Sequence, residues 1–71
     1  MSTETLIRIG EQLKKARQRK GLTQTEVAKI AGMSANRYAV VERGEAENMT
    51  INKLEKIVKA LGVKSSDILP F

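Results

Sequence analysis

The sequence predicts a single all-helical domain of five short helices, the second and third forming a helix-turn-helix. Three observations carry that expectation. Apolar residues recur at spacings of three and four rather than two. Each apolar run stops at a glycine or a proline, at Gly21, Gly32, Gly44, Gly62 and Pro70. Residues 24–43 read as two short helices hinged at Gly32, with small or apolar residues wherever the two would touch. The 71 residues are 41% hydrophobic, which suits one core, so residues 1–71 are expected to form one domain of marginal size.

The first helix is expected from about Thr5 to Lys20, where Leu6, Ile9, Leu13 and Ala16 share a face and Gly21 is the stop. Thr23, with Glu26 three residues on, makes a capping box for a second helix over Gln24 to Ala31. Ala28 supplies the small residue that a steep crossing of two helices needs, and Gly32 can take the left-handed conformation of a tight turn. Ser34 caps a third helix over Ala35 to Arg43, and Val27, Ala31, Met33, Tyr38 and Val41 form one shared apolar seam. Thr50 caps a fourth helix whose stripe is Ile51, Leu54, Ile57, Val58 and Leu61. Ser65 to Leu69 suggests a last helical turn before Pro70. No segment alternates in the manner of a strand.

Composition narrows the function classes. Cysteine and histidine are absent, which removes disulfides, thiolate metal sites and the usual acid–base catalysts, and no glycine-rich phosphate loop or paired carboxylates suggest an enzyme. No cofactor is expected. No apolar run is long enough for a bilayer, and Met1 to Thr5 lacks the features of a secretion signal, so a cytoplasmic protein with no membrane role is expected. The net charge of +5 is uneven: residues 1–20 carry six basic and two acidic side chains, residues 21–50 three and four, and residues 51–71 four and two. The helix-turn-helix itself is therefore not strongly basic. Lys14, Lys15, Arg17, Arg19 and Lys20 cluster at the end of the first helix, a run that reads equally as a solvated face or as attraction to a polyanion. A helix-turn-helix in this register is the arrangement whose second helix enters the major groove of DNA.

The segments 21–34 (GLTQTEVAKIAGMS), 40–44 (VVERG) and 50–63 (TINKLEKIVKALGV) resemble the Xre-type family of phage repressors, Cro-like proteins and restriction-modification controller proteins. The resemblance covers about residues 6 to 69. It implies a five-helix, lambda-repressor-like fold and a sequence-specific transcriptional regulator that binds double-stranded DNA as a two-fold homodimer. Because the sequence runs out after the fifth expected helix, it is nearer the stand-alone controllers and small antitoxins than repressors with a further assembly domain.

The resemblance places base-reading positions at Ser34, Ala35, Asn36, Arg37 and Val40. Asn36 suits an adenine edge and Arg37 a guanine or a phosphate, whereas Ala35 and Val40 can meet only thymine methyl groups. Val40 reads equally as core. The glutamines common in phage relatives are missing at Ala35 and Val40, which changes the target rather than the binding mode. Phosphate contacts fall on Gln24, Arg43, Asn48 and Thr50, and Arg17 with Glu42 stands where relatives have a structural ion pair. The loop after the third helix lacks the usual proline and carries Glu45 and Glu47, which are expected to point away from phosphate. Tyr38, if buried, needs a partner for its hydroxyl. Val63, Leu69 and Phe71 are the dimer candidates, although Ile68 and Leu69 also read as core. The same fold serves antitoxins and coactivators, so a module that binds a cognate partner protein is the alternative.

Overall fold

The computed structural model describes residues 2–47 and 49–62, and within them four helices: α1 (Thr3–Arg19), α2 (Gln24–Ala31), α3 (Ala35–Glu42) and α4 (Ile51–Leu61). The expected fifth helix lies outside the described residues. No strand occurs among those described. The first helix begins two residues earlier than expected because the Ser2 hydroxyl accepts the Thr5 backbone N–H at 3.2 Å and caps it. The other three caps fall where the sequence put them. Thr23, Ser34 and Thr50 accept the N–H groups of Glu26, Arg37 and Lys53, and the Glu26 carboxylate accepts the Thr23 N–H at 3.0 Å to complete the capping box.

The turn between α2 and α3 is made by Gly32 at φ 74°, followed by the Met33 N–H donating to the Ala28 carbonyl at 2.9 Å. A side chain at that φ would be strained, so the helix stops there and the chain reverses through Met33 and Ser34 into α3. Helix α2 packs against both α3 and α4, and α1 lies mainly on α3 and lightly on α4. The core they enclose is Ile9, Leu13 and Ala16 from α1, Val27 and Ala28 from α2, Tyr38 and Val41 from α3, and Leu54, Ile57, Val58 and Leu61 from α4. Ala28 is fully enclosed at the crossing, as its size requires. Ala31 and Met33 of the expected seam sit half-buried at its edge. Ile51 departs from expectation: it is 41% exposed. The apolar stripe continues to the first residue of α4 in sequence, but the packed surface does not reach that turn.

One determinant of this packing went unread in the sequence. Gly10, buried in the middle of α1, faces the last turn of α3 so closely that a Cβ would stand 2.5 Å from the Glu42 carbonyl oxygen and 2.7 Å from that of Val41. Both obstacles are backbone, so neither can swing aside. Gly44 makes the reciprocal approach, since a Cβ there would lie 2.7 Å from the Ile7 Cα. The signal was a glycine inside an otherwise regular helical stripe, three residues before Leu13.

Gly10→Ala therefore tests the close approach through its sign. In an unconstrained helix the change would stabilise by about 0.8–1 kcal/mol. Here the overpacking reverses it, and a net loss of about 1–3 kcal/mol is expected in urea denaturation.

Candidate nucleic-acid interface

The first turn of α3 is open to solvent on one side. Ser34, Asn36 and Arg37 are solvent-facing, while Ala35 is half-buried against the core. Val40, one turn beyond Asn36 and Arg37, is half-buried as well, so it lies at the border between core and surface. It lines a cleft of about 360 Å³ between α3 and the loop that follows, together with Met33, Val41, Ala46 and Met49, and with the exposed Arg37, Glu45, Glu47 and Lys53 around them. The Ser34 hydroxyl accepts the Arg37 N–H at 3.1 Å, which leaves its own proton free to donate.

The phosphate candidates are distributed over helix starts. Gln24 is the first residue of α2 and Thr50 the cap of α4, and both helix termini direct backbone N–H groups outward. Arg43 follows α3 and is exposed, but its Nε donates to Glu45 Oε1 at 2.6 Å. Glu45 therefore lies against Arg43 rather than standing clear of it, because two residues beyond a helix end the chain has turned back on itself at Gly44. Asn48, Val63, Leu69 and Phe71 lie outside the described residues. Lys14, Lys15, Arg19 and Lys20 are all exposed along the end of α1, whereas Arg17 is turned inward.

Arg17 and Glu42 form the charged centre beneath this surface, their side chains only 13% and 3% exposed. Arg17 Nε donates to Glu42 Oε2 at 2.7 Å and one terminal nitrogen to Oε1 at 3.3 Å. Its other terminal nitrogen donates to the Leu22 carbonyl at 2.9 Å, so the guanidinium reaches α3 and the chain entering α2 at once. Gln24 Nε2 donates to Glu42 Oε1 at 3.1 Å, a contact not foreseen from sequence. Burial by itself would raise the Glu42 carboxyl, but hydrogen bonds from Arg17 and Gln24, the nearby polar hydroxyl of Tyr38 and the Arg17 charge together hold it below its ordinary value. Hydrogen bonding to Glu42 raises Arg17 in turn, against the opposing effect of burial. Tyr38 is completely buried, and burial followed by the neighbouring Glu42 drives its hydroxyl far above the ordinary phenol range. That hydroxyl has no hydrogen bond of adequate geometry, the one buried side-chain polar atom so placed among the described residues. The partner it was expected to need is therefore not supplied, although Glu42 and Arg17 are its neighbours.

Among the described residues no group of His, Cys, Asp or Glu could hold a metal, and no helix is long and apolar enough to cross a membrane. A capped helix-turn-helix with an exposed polar first turn on its second helix defines a DNA-binding protein class. A family model described as helix-turn-helix matches residues 13–68, and the chain belongs to that family, in its Xre-type branch. No curated protein matches it. Among solved structures it is similar to the restriction-modification controller protein C.AhdI from Aeromonas hydrophila, with 27% identity and a TM-score of 0.87 over 94% of this chain and 96% of that one. It is also similar to the controller protein C.Esp1396I. A tyrosine-to-phenylalanine mutant of that protein aligns at 32% identity and TM-score 0.82 over 93% and 82% of the two chains. The wild type aligns at 32% and 0.79 over 87% and 80%. The chain is a DNA-binding transcription regulator.

Two outcomes follow for the ion pair. Removing one partner strands a buried charge, so Glu42→Ala should cost about 3–5 kcal/mol, while Arg17→Met with Glu42→Leu should recover most of that loss in thermal melts. Because Glu42 titrates below its ordinary value of 4.5 when folded, its stabilisation is fully present above that pH and is withdrawn as the pH falls through the lower folded value. The acid limb of the stability curve should be shallower in the Met/Leu double variant than in the native chain.

Proposed function

We propose that the protein regulates transcription as a homodimer on a two-fold symmetric operator, in the manner of a restriction-modification controller, within the cytoplasm. The observation that carries this reading is the exposed first turn of α3: Ser34, Asn36 and Arg37 project from a helix whose opposite face is locked into the core. In the proposed complex Asn36 reads an adenine edge and Arg37 a guanine or an adjacent phosphate, with Ala35 and Val40 against thymine methyl groups. Gln24, Arg43, Asn48 and Thr50 would hold phosphates and fix the register. One such helix spans too few base pairs for selectivity, which favours two copies on half-sites about one helical turn apart. Val63, Leu69 and Phe71 are proposed for the contact between copies on their apolar character alone.

Selection from a genomic fragment library at near-physiological salt tests the reading. An enriched symmetric site occupied by two chains supports it. A folded protein that recovers no preferred sequence overturns it and directs attention to a partner-binding module.

Asn36→Ala and Arg37→Ala should each cost about 1–3 kcal/mol on the selected site and much less on unrelated duplex, measured by titration at one salt concentration. Equal losses on both would reassign those side chains to the backbone. Glu45→Gln removes the carboxylate that competes for Arg43. Binding should tighten and the dependence of log K on log salt should steepen by up to about 0.9 for the additional phosphate contact. An unchanged slope would take Arg43 out of the interface.

A further inference from the structure

The contact between Gln24 and Glu42 links the buried ion pair to a side chain at the proposed DNA surface. A carboxylate only accepts hydrogen bonds, so Glu42 decides which end of the Gln24 amide turns inward: the NH2 group faces Glu42 Oε1 at 3.1 Å. One N–H is used in that bond and the second remains. The acceptor is itself immobilised, because Oε2 takes Arg17 Nε at 2.7 Å and Oε1 also takes a terminal nitrogen at 3.3 Å. Arg17 is tied in addition to the Leu22 carbonyl, just before the α2 cap. The amide of Gln24 is thus held relative to the helix start on which it stands, where the backbone N–H groups of Gln24 and Thr25 have no partner among the described residues. Arg17 also neutralises Glu42, so the carboxylate can brace the glutamine without repelling a nearby anion.

We propose that Glu42 is a positioning residue for DNA binding: it orients the Gln24 amide so that the remaining N–H and the first backbone N–H groups of α2 address one phosphate together. This rests on the reading of Gln24 as a phosphate contact. The gain is preorganisation, because a long side chain that is already ordered loses less freedom on association. The ion pair then serves two ends, holding α1 to α3 and aiming a group on α2.

A double-mutant cycle tests it, using a mixed-sequence DNA duplex at low salt as the probe and thermal melts to check folding. In the native chain Gln24→Ala should weaken binding roughly three- to tenfold, the effect of one hydrogen bond. In the Arg17→Met, Glu42→Leu background, where nothing orients the amide, the same change should cost less than about twofold. Arg43→Ala, as the control, should cost the same in both. Equal Gln24→Ala losses in the two backgrounds overturn the proposal, since they leave Glu42 a purely structural residue. No Gln24→Ala loss in the native chain overturns it differently, removing Gln24 from the interface, while a loss from Arg43→Ala keeps the DNA-binding reading intact. Should the double variant not fold, Glu42→Gln replaces it. Its amide can turn either end toward Gln24, so the Gln24→Ala loss should again shrink, and an undiminished loss overturns the proposal.

Discussion

The arrangement of the helices depends on one buried ion pair. Arg17 extends from the last turn of α1 and Glu42 is the last residue of α3, and between them they reach the entry to α2 and its first side chain. Such a pair is a weak argument for net stability, because the desolvation of two charges offsets much of their attraction. Its effect here is on register. An apolar contact at this point would tolerate sliding of α1 along α3, whereas a guanidinium with all three nitrogens engaged tolerates little. Gly10 makes that register reachable by letting the α1 backbone rest directly on the carbonyls of Val41 and Glu42. The close approach and the ion pair are two parts of one contact, the first setting the distance between the helices and the second their alignment.

From that alignment follows what the surface presents. The four caps satisfy one N–H each at the helix starts and leave others directed outward, so the capped termini of α2 and α4 are suited to anions without needing a strongly basic patch. The near-neutral charge of residues 21–50 is compatible with this. In the proposed complex the exposed lysines and arginines of α1, with Arg17 withdrawn, would supply the long-range attraction. The pairing of Arg43 with Glu45 lowers the net positive charge just beyond α3. Such an exposed pair adds little stability, and in the proposed complex it would moderate sequence-independent attraction relative to contacts with base edges.

The fold was legible because its signals are local. Caps at Thr23, Ser34 and Thr50, the turn at Gly32 and the stripe through Leu54, Ile57, Val58 and Leu61 each follow from spacing within a dozen residues. What spacing cannot convey is which part of a stripe meets another helix. Ile51 continues the pattern and remains exposed, and Ala31 and Met33 lie at the edge of the seam rather than inside it. The site divides in the same way. That Ser34, Asn36 and Arg37 stand on one open turn follows from the caps, but the inward turn of Gln24, the approach of Glu45 to Arg43 and the unaligned hydroxyl of Tyr38 depend on contacts between elements. Polar side chains with two possible partners are where sequence reasoning loses its hold, because both choices satisfy the same local pattern.

Tyr38 shows what this small core gives up for its register. An aliphatic residue at that place would leave no orphaned polar atom, and an unmet hydroxyl in such surroundings costs on the order of 1–3 kcal/mol. Its ring, however, is the largest of the fully buried side chains and fills the space beneath the ion pair. A smaller side chain would leave a cavity beside two buried charges or admit water to them, and water would compete for the Glu42 oxygens that hold Arg17 and Gln24. Volume and dryness at that position protect the geometry above it, and the hydroxyl is tolerated because the ring that carries it keeps the carboxylate's bonds within the protein.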